Sequence, residues 1–133
     1  MIEGPRSMRP LHAPKAHFDE SIALIESGEL AAAEGRIRSR LADYPRDVNL
    51  QALLGALLIK RNRLDEAAVL LRQVIAEAPS FAKPHEDLGH LLIQQGHADD
   101  AVPLLERAGL RRLIVPYPRR TDLPERTYYF VRN

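Results

Sequence analysis

The feature that most restricts this chain is that it repeats itself every 34 residues. Displaced by that interval, Leu54 falls on Leu88, Gly55 on Gly89, Leu58 on Leu92, Ala67 on Ala101 and Leu71 on Leu105. One step back, the same columns hold Leu24, Ala33 and Ile37. The punctuation follows the period too, with Gly28, Asn62 and Gly96 in one column and Pro45 and Pro79 in another. Three copies result, 14–47, 48–81 and 82–115. A repeat of this length is one supersecondary unit, which buries its apolar face only by stacking on its neighbours. In 133 residues there is room for three such units and none for a second large domain beside them.

Within each copy apolar residues recur at three and four positions, the helical interval. Leu53, Leu54, Leu57 and Leu58 stripe the first helix of copy two, and Ala67, Leu70, Leu71, Val74 and Ile75 stripe the second. That second helix opens on Asp65 and Glu66, and Asp99 and Asp100 repeat the arrangement in copy three. Acids suit the partial positive charge at a helix start. Pro45 and Pro79 break the chain before the next pair begins. Pro103 stands inside the second helix of copy three, about one turn from its start, where few backbone N–H groups have helical partners, so a modest cost is expected. The reading is all-α: a solenoid of three antiparallel helix pairs over 14–115, preceded by a flexible leader, 1–13, and followed by an irregular tail, 116–133.

Gly55 and Gly89 on the first helix, facing Ala67 and Ala101 on the second, let two backbones approach where a larger side chain would wedge them apart. With these residues the chain resembles the tetratricopeptide repeat family. That family's pattern is a bulky residue, Leu-Gly, an aromatic, Ala, an aromatic, Ala and Pro. Copy two offers Gln51, Leu54-Gly55, Leu58, Ala67, Leu71, Val74 and Pro79. Copy three offers His85, Leu88-Gly89, Leu92, Ala101, Leu105 and Ala108, with Leu113 in place of the closing Pro. Copy one departs further, with Glu20-Ser21 for Leu-Gly and Arg40 for the second Ala, and is expected to pack as a terminal cap.

The resemblance implies a right-handed superhelix whose first helices line a concave groove suited to an extended peptide or a partner helix. The groove positions it implies are Lys15, Phe18, Ile22, Ile25 and Glu26 in copy one, then Asn49, Ala52, Ala56, Ile59 and Lys60 in copy two. Copy three adds Lys83, Glu86, His90, Ile93 and Gln94. Family members that clamp the carboxylate end of chaperone tails use Lys and Asn where this chain has Phe18 and Ile22, so that clamp is missing. The expected partner is an apolar protein segment, flanked by charge contacts to Lys60, Lys83 or Glu86.

Net charge is +1, which marks neither a nucleic-acid nor a membrane-surface binder. Residues 14–108 carry 11 basic and 15 acidic side chains, whereas 109–133 carry six arginines against Asp122 and Glu125. Those arginines are scattered, no nucleic-acid motif accompanies them, and the acidic body opposes wrapping. Cysteine is absent, which excludes disulfides and thiolate chemistry and fits a reducing, cytoplasmic setting. The longest apolar run, Leu53–Ile59, is too short to span a bilayer, and residues 1–13 have no hydrophobic block of a secretory signal. His85 and His90 are five apart and so on different helical faces, unlike a zinc-peptidase pair. Neither a phosphate-binding Gly-Lys-Ser loop nor a serine with an arranged base is present, so no cofactor, metal or catalysis is expected.

After Gly109 the repeat dissolves and no seventh, solvating helix is evident, although arrays normally carry a polar cap. Pro116, Pro118 and Pro124 favour extended backbone, and Tyr128–Val131 is a strand-favouring run. Tyr117, Tyr128, Tyr129 and Phe130 therefore either shield the last helix pair or dock on another chain, which makes a second copy a further expected partner. An alternative comes from Ala82-Lys83-Pro84-His85-Glu86-Asp87-Leu88-Gly89, which is similar to repeats that precede bacterial sulfotransferase-like domains. In that case the chain is the front of an enzyme whose catalytic part lies elsewhere.

Overall fold

The computed structural model describes residues 10–116 and 126–132. The chain divides into two compact units, residues 1–79 and 80–133. The first contains α1 (Lys15–Glu26), α2 (Leu30–Asp43), α3 (Val48–Lys60) and α4 (Leu64–Glu77). The second contains α5 (Ala82–Gln94), α6 (Ala98–Arg107) and two strands, β1 (Leu110–Pro116) and β2 (Arg126–Arg132). The expected fold class is the one found, with six helices among the described residues, in three consecutive pairs, one pair per copy.

Each pair turns the same way. Gly28, Asn62 and Gly96 have φ of 83, 61 and 84°, the left-handed region in which a helix C-terminus is closed. At the middle turn the Asn62 N–H donates to the Ile59 carbonyl and the Arg63 N–H reaches back to Leu58, with matching bonds at the other two. Asparagine is the side chain that best tolerates this conformation after glycine, which is why it stands in a glycine column. Tyr44 and Ala78, each before a proline, take φ of −128 and −133° and end α2 and α4.

In the first unit α1 packs on α2, α2 on α3, α3 on α4, and α1 also meets α3. Ala33, Ile37, Leu50, Leu57, Leu58, Ala67, Leu71 and Val74 are fully buried there. A Cβ on Gly55 would lie 2.7 Å from Leu71 Cδ2, and one on Gly89 would lie 2.6 Å from Leu105 Cδ2. The close approach is the expected one, but the side chain it admits is the leucine one turn beyond Ala67 and Ala101. In copy one the same column holds Ser21, buried, whose hydroxyl donates to the His17 carbonyl at 3.0 Å and so satisfies itself within α1.

One expectation is corrected, and two observations bear on the tail and the leader. Pro103 is the sixth residue of α6, past the unpaired first turn, because Ala101 already bonds to His97. Its missing N–H therefore forfeits a bond that the helix would otherwise make to Asp99. The tail is not wholly irregular: β1 and β2 form an antiparallel ladder that runs from Leu110 opposite Arg132 to Pro116 opposite Arg126. β-branched and aromatic residues in both segments favour that pairing, and it places Tyr128, Tyr129 and Phe130 in β2, while Tyr117 lies outside the described residues. The end of the leader is also held, because the Ala13 N–H donates to Asp47 Oδ2 at 2.6 Å.

Candidate functional site

Asp47 organises the exposed end of the first unit. Its Oδ1 accepts the backbone N–H groups of Asn49 and Leu50 at 2.9 and 3.1 Å, capping α3, while Oδ2 accepts Ala13. His12 Nδ1 stands 3.5 Å away, and the carboxylate is only 2% exposed. Beside it opens a recess of about 260 Å³ lined by Ala13, Lys15, Phe18, Asp47 and Asn49. Three of these, Lys15, Phe18 and Asn49, are groove positions implied by the resemblance. Ala13 and Asp47 were missed, although an Asp immediately before an apolar-periodic segment is a legible N-cap signal.

The other positions sort by accessibility. Ile22, Ile25, Ala56 and Ile59 are half-buried, and Glu26 and Lys60 are exposed. Ala52 is buried, with 6% of its surface exposed. In the second unit Lys83, His90, Ile93 and Gln94 are exposed on α5 and Glu86 is half-buried. Two of the expected charge contacts already have partners on their own helix: Lys83 Nζ is 3.1 Å from Asp87 Oδ1, and His90 Nε2 is 3.8 Å from Glu86 Oε1.

The strongest electrostatic feature lies elsewhere in the first unit. Glu34 on α2, 9% exposed, accepts from Arg38 at 2.9 Å, from Arg61 at 2.8 Å and from Arg63 at 2.7 Å. Arg38 and Arg63 also reach Glu66 on α4, at 2.7 and 2.6 Å. Burial pushes the Glu34 carboxyl up, and the three guanidinium hydrogen bonds overcome it, so that it sits below the usual carboxylate range. Hydrogen bonds from Arg38 and then Arg63 hold Glu66 low as well. The network ties α2 to the α3–α4 turn, and so copy one to copy two.

In the second unit two buried groups are poorly served. His85 is 1% exposed and neither ring nitrogen has a hydrogen-bond partner. Burial, and then the charge of Arg107, hold its pKa below the usual histidine range. Burial pushes the Asp87 carboxyl up, opposed by Lys83, and its Oδ2 is unpartnered. Among the described residues no group of three His, Cys, Asp or Glu side chains gathers to hold a metal, and no helix is long and apolar enough to cross a membrane.

Tandem helix pairs joined by left-handed turns, with Gly-on-Leu close packing repeated in register, define a tetratricopeptide-type fold. Residues 58–112 match the family described as tetratricopeptide repeat. Among solved structures, a MamA mutant aligns with a TM-score of 0.61 at 21% identity, covering 72% of this chain and 72% of its own. MamA from AMB-1 aligns at 0.59 and 25% identity over 69% of this chain and 50% of its own, and MamA from MSR-1 at 0.59 and 20% over 79% and 59%. The chain thus spans half to three fifths of the length of these last two. No curated protein matches it.

Proposed function

We propose that the chain is a protein-interaction adaptor that takes an apolar partner segment on the faces of its first helices and carries no catalysis or cofactor of its own. The observation that supports this reading is the recess beside Asp47, whose lining combines apolar Phe18 with Lys15 and Asn49. Half-buried Ile22 and Ile25 on α1, with Ala56 and Ile59 on α3, continue the apolar character away from it. Such a surface suits an extended or helical segment whose apolar side chains enter between polar edges. In the second unit the same reading puts contacts on Lys83, Glu86, His90, Ile93 and Gln94. A cytoplasmic setting fits a chain without cysteine.

The test is a peptide selected from a random library against the intact chain, titrated by fluorescence anisotropy. Phe18→Ala and Ile59→Glu should each weaken it by about tenfold or more, as truncation or charging of a central apolar contact does. Ala31→Lys, on the exposed side of α2, should leave it unchanged. Equal affinities for all four proteins would sink the proposal.

A further inference from the structure

The leader keeps a period of its own. Ile2, Pro5, Met8 and Leu11 stand three residues apart, Glu3, Arg6, Arg9 and His12 take the next positions, and after Met1 the third set is Gly4, Ser7, Pro10 and Ala13. A polyproline helix has three residues per turn, so in that conformation each set forms a stripe of its own, one apolar, one charged and one small. Pro5 and Pro10 favour the conformation. Pro14, at the head of α1, has φ of −52° and ψ of 142°, close to its ideal values.

The chain is held where an apolar stripe has a use. The Ala13 N–H donates to Asp47, and His12, of the charged set, stands 3.5 Å from the same carboxylate. Ala13 lines the recess with Phe18, and Leu11, two residues earlier, is 55% exposed, a large apolar side chain left in solvent beside that hollow. The recess opens at the N-terminal ends of α1 and α3, and half-buried Ile22, Ile25, Ala56 and Ile59 follow along the same two helices. Length agrees as well. From Pro14 to Glu26 α1 rises about 18 Å, and the stretch from Ala13 back to Arg6 spans about 22 Å as a polyproline helix. Such a strap brings Leu11 level with Phe18, Met8 with Ile25, and Arg6 with exposed Glu26.

We propose that residues 1–12 form a strap that closes on the α1 and α3 faces, Met8 and Leu11 inward, and competes in cis with the partner segment. This rests on the reading of those faces given above. Tethering at Ala13 presents the strap at a roughly millimolar effective concentration, so weak docking is enough to fill the face. A backbone already extended by proline loses little entropy on docking. The exposed Leu11 belongs to the released arm of this exchange, and closure buries it. A partner has to displace the strap, which excludes weakly apolar segments.

Two readouts on the full chain separate the strap from the partner site. Trypsin cuts after Arg6, and mass spectrometry follows that cleavage. Met8→Ser/Leu11→Ser, which alters no helix, should speed it by about threefold or more, because cleavage tracks the released population. The same variant should bind the library-selected peptide more tightly by the same factor, because only released chains are competent. Saturating peptide should speed cleavage of the parent. Unchanged melting would show that the variant leaves the fold intact. Equal cleavage rates in parent and variant overturn the strap, whether or not a peptide binds. So does a peptide whose affinity depends on Phe18 but not on Met8 and Leu11. Faster cleavage of the variant, with no peptide captured by the face, supports closure of the strap and removes the partner reading instead.

Discussion

Replacing glycine by alanine is expected to act with opposite signs at different places in this chain. At Gly35, inside α2 and exposed, an added Cβ meets nothing within 4 Å, so alanine should stabilise by about 0.5–1 kcal/mol through helix propensity alone. At Gly55 the same methyl group would stand 2.7 Å from Leu71 Cδ2 and 2.9 Å from its Cγ, in a fully buried environment where the leucine has nowhere to swing. Overpacking of about 1–3 kcal/mol then exceeds the propensity gain. At Gly96, with φ of 84°, alanine should cost about 1 kcal/mol in backbone strain. Urea denaturation of the three variants checks the order: Gly35→Ala above the parent, the other two below. Polar burial gives a second residue-scale test. His85 is buried with two unpartnered nitrogens, and its folded pKa lies below its ordinary 6.5. Stability is therefore fully present above about pH 6.5 and lost as the pH falls from there through the folded value, because the unfolded chain binds the proton first. His85→Leu removes that titration and the orphaned donor together. Its melting temperature should exceed the parent's and fall less between pH 7 and pH 5.

At the scale of the element, the network around Glu34 shows what the repeat pattern did and did not foretell. Hydrophobic periodicity made the helix pairs and their turns legible, because burial of an apolar stripe leaves the same trace in every copy; it pointed to a close approach at Gly55 and Gly89 but to Ala67 and Ala101 instead of Leu71 and Leu105. The ion network left none: Glu34 lies 27 and 29 residues from Arg61 and Arg63, and charged residues at helix surfaces normally signify only hydration. Of the residues that line the recess beside Asp47, Lys15, Phe18 and Asn49 are positions implied by the family resemblance, whereas Asp47 and Ala13 meet through a cap and a chain reversal that periodicity does not encode. Glu34→Gln should cost about 1–3 kcal/mol, since three guanidinium hydrogen bonds lose their charged acceptor in a largely buried place. Both carboxyls of the network have folded pKa values below the ordinary 4.5. Their contribution is thus present above about pH 4.5 and lost as the pH falls through the folded values. Acid titration followed by circular dichroism should show that limb in the parent and a smaller one in Glu34→Gln.

For the whole molecule, the two units lose stability to acid in different windows. The second is affected from about pH 6.5 downward through His85, and the first only from about pH 4.5 downward through Glu34 and Glu66. Asp87, whose carboxyl is pushed up, acts in the opposite sense, so that its share of stability returns as the pH falls through its raised value. Amide hydrogen exchange at pH 5 should accordingly show α5 and α6 losing protection ahead of α1 to α4. The hairpin sets another test. A chain ending at Pro116 keeps β1 but deprives it of the ladder from Leu110 to Pro116, and an unpaired strand rich in Leu, Ile and Val recruits others. Light scattering should find that truncated chain in larger assemblies than the parent at equal concentration.

The bond from Ala13 to Asp47 joins positions 34 apart, and it runs against the order in which the chain is made. Residues 12 and 13 leave the ribosome ahead of everything they touch, and at about 5–20 residues per second Asp47 follows roughly 2–7 s later. Until then the carboxylate that holds Ala13 does not exist. Ala13 therefore waits for that stretch of chain before it is held, and the carboxylate that then holds it is the one that caps α3.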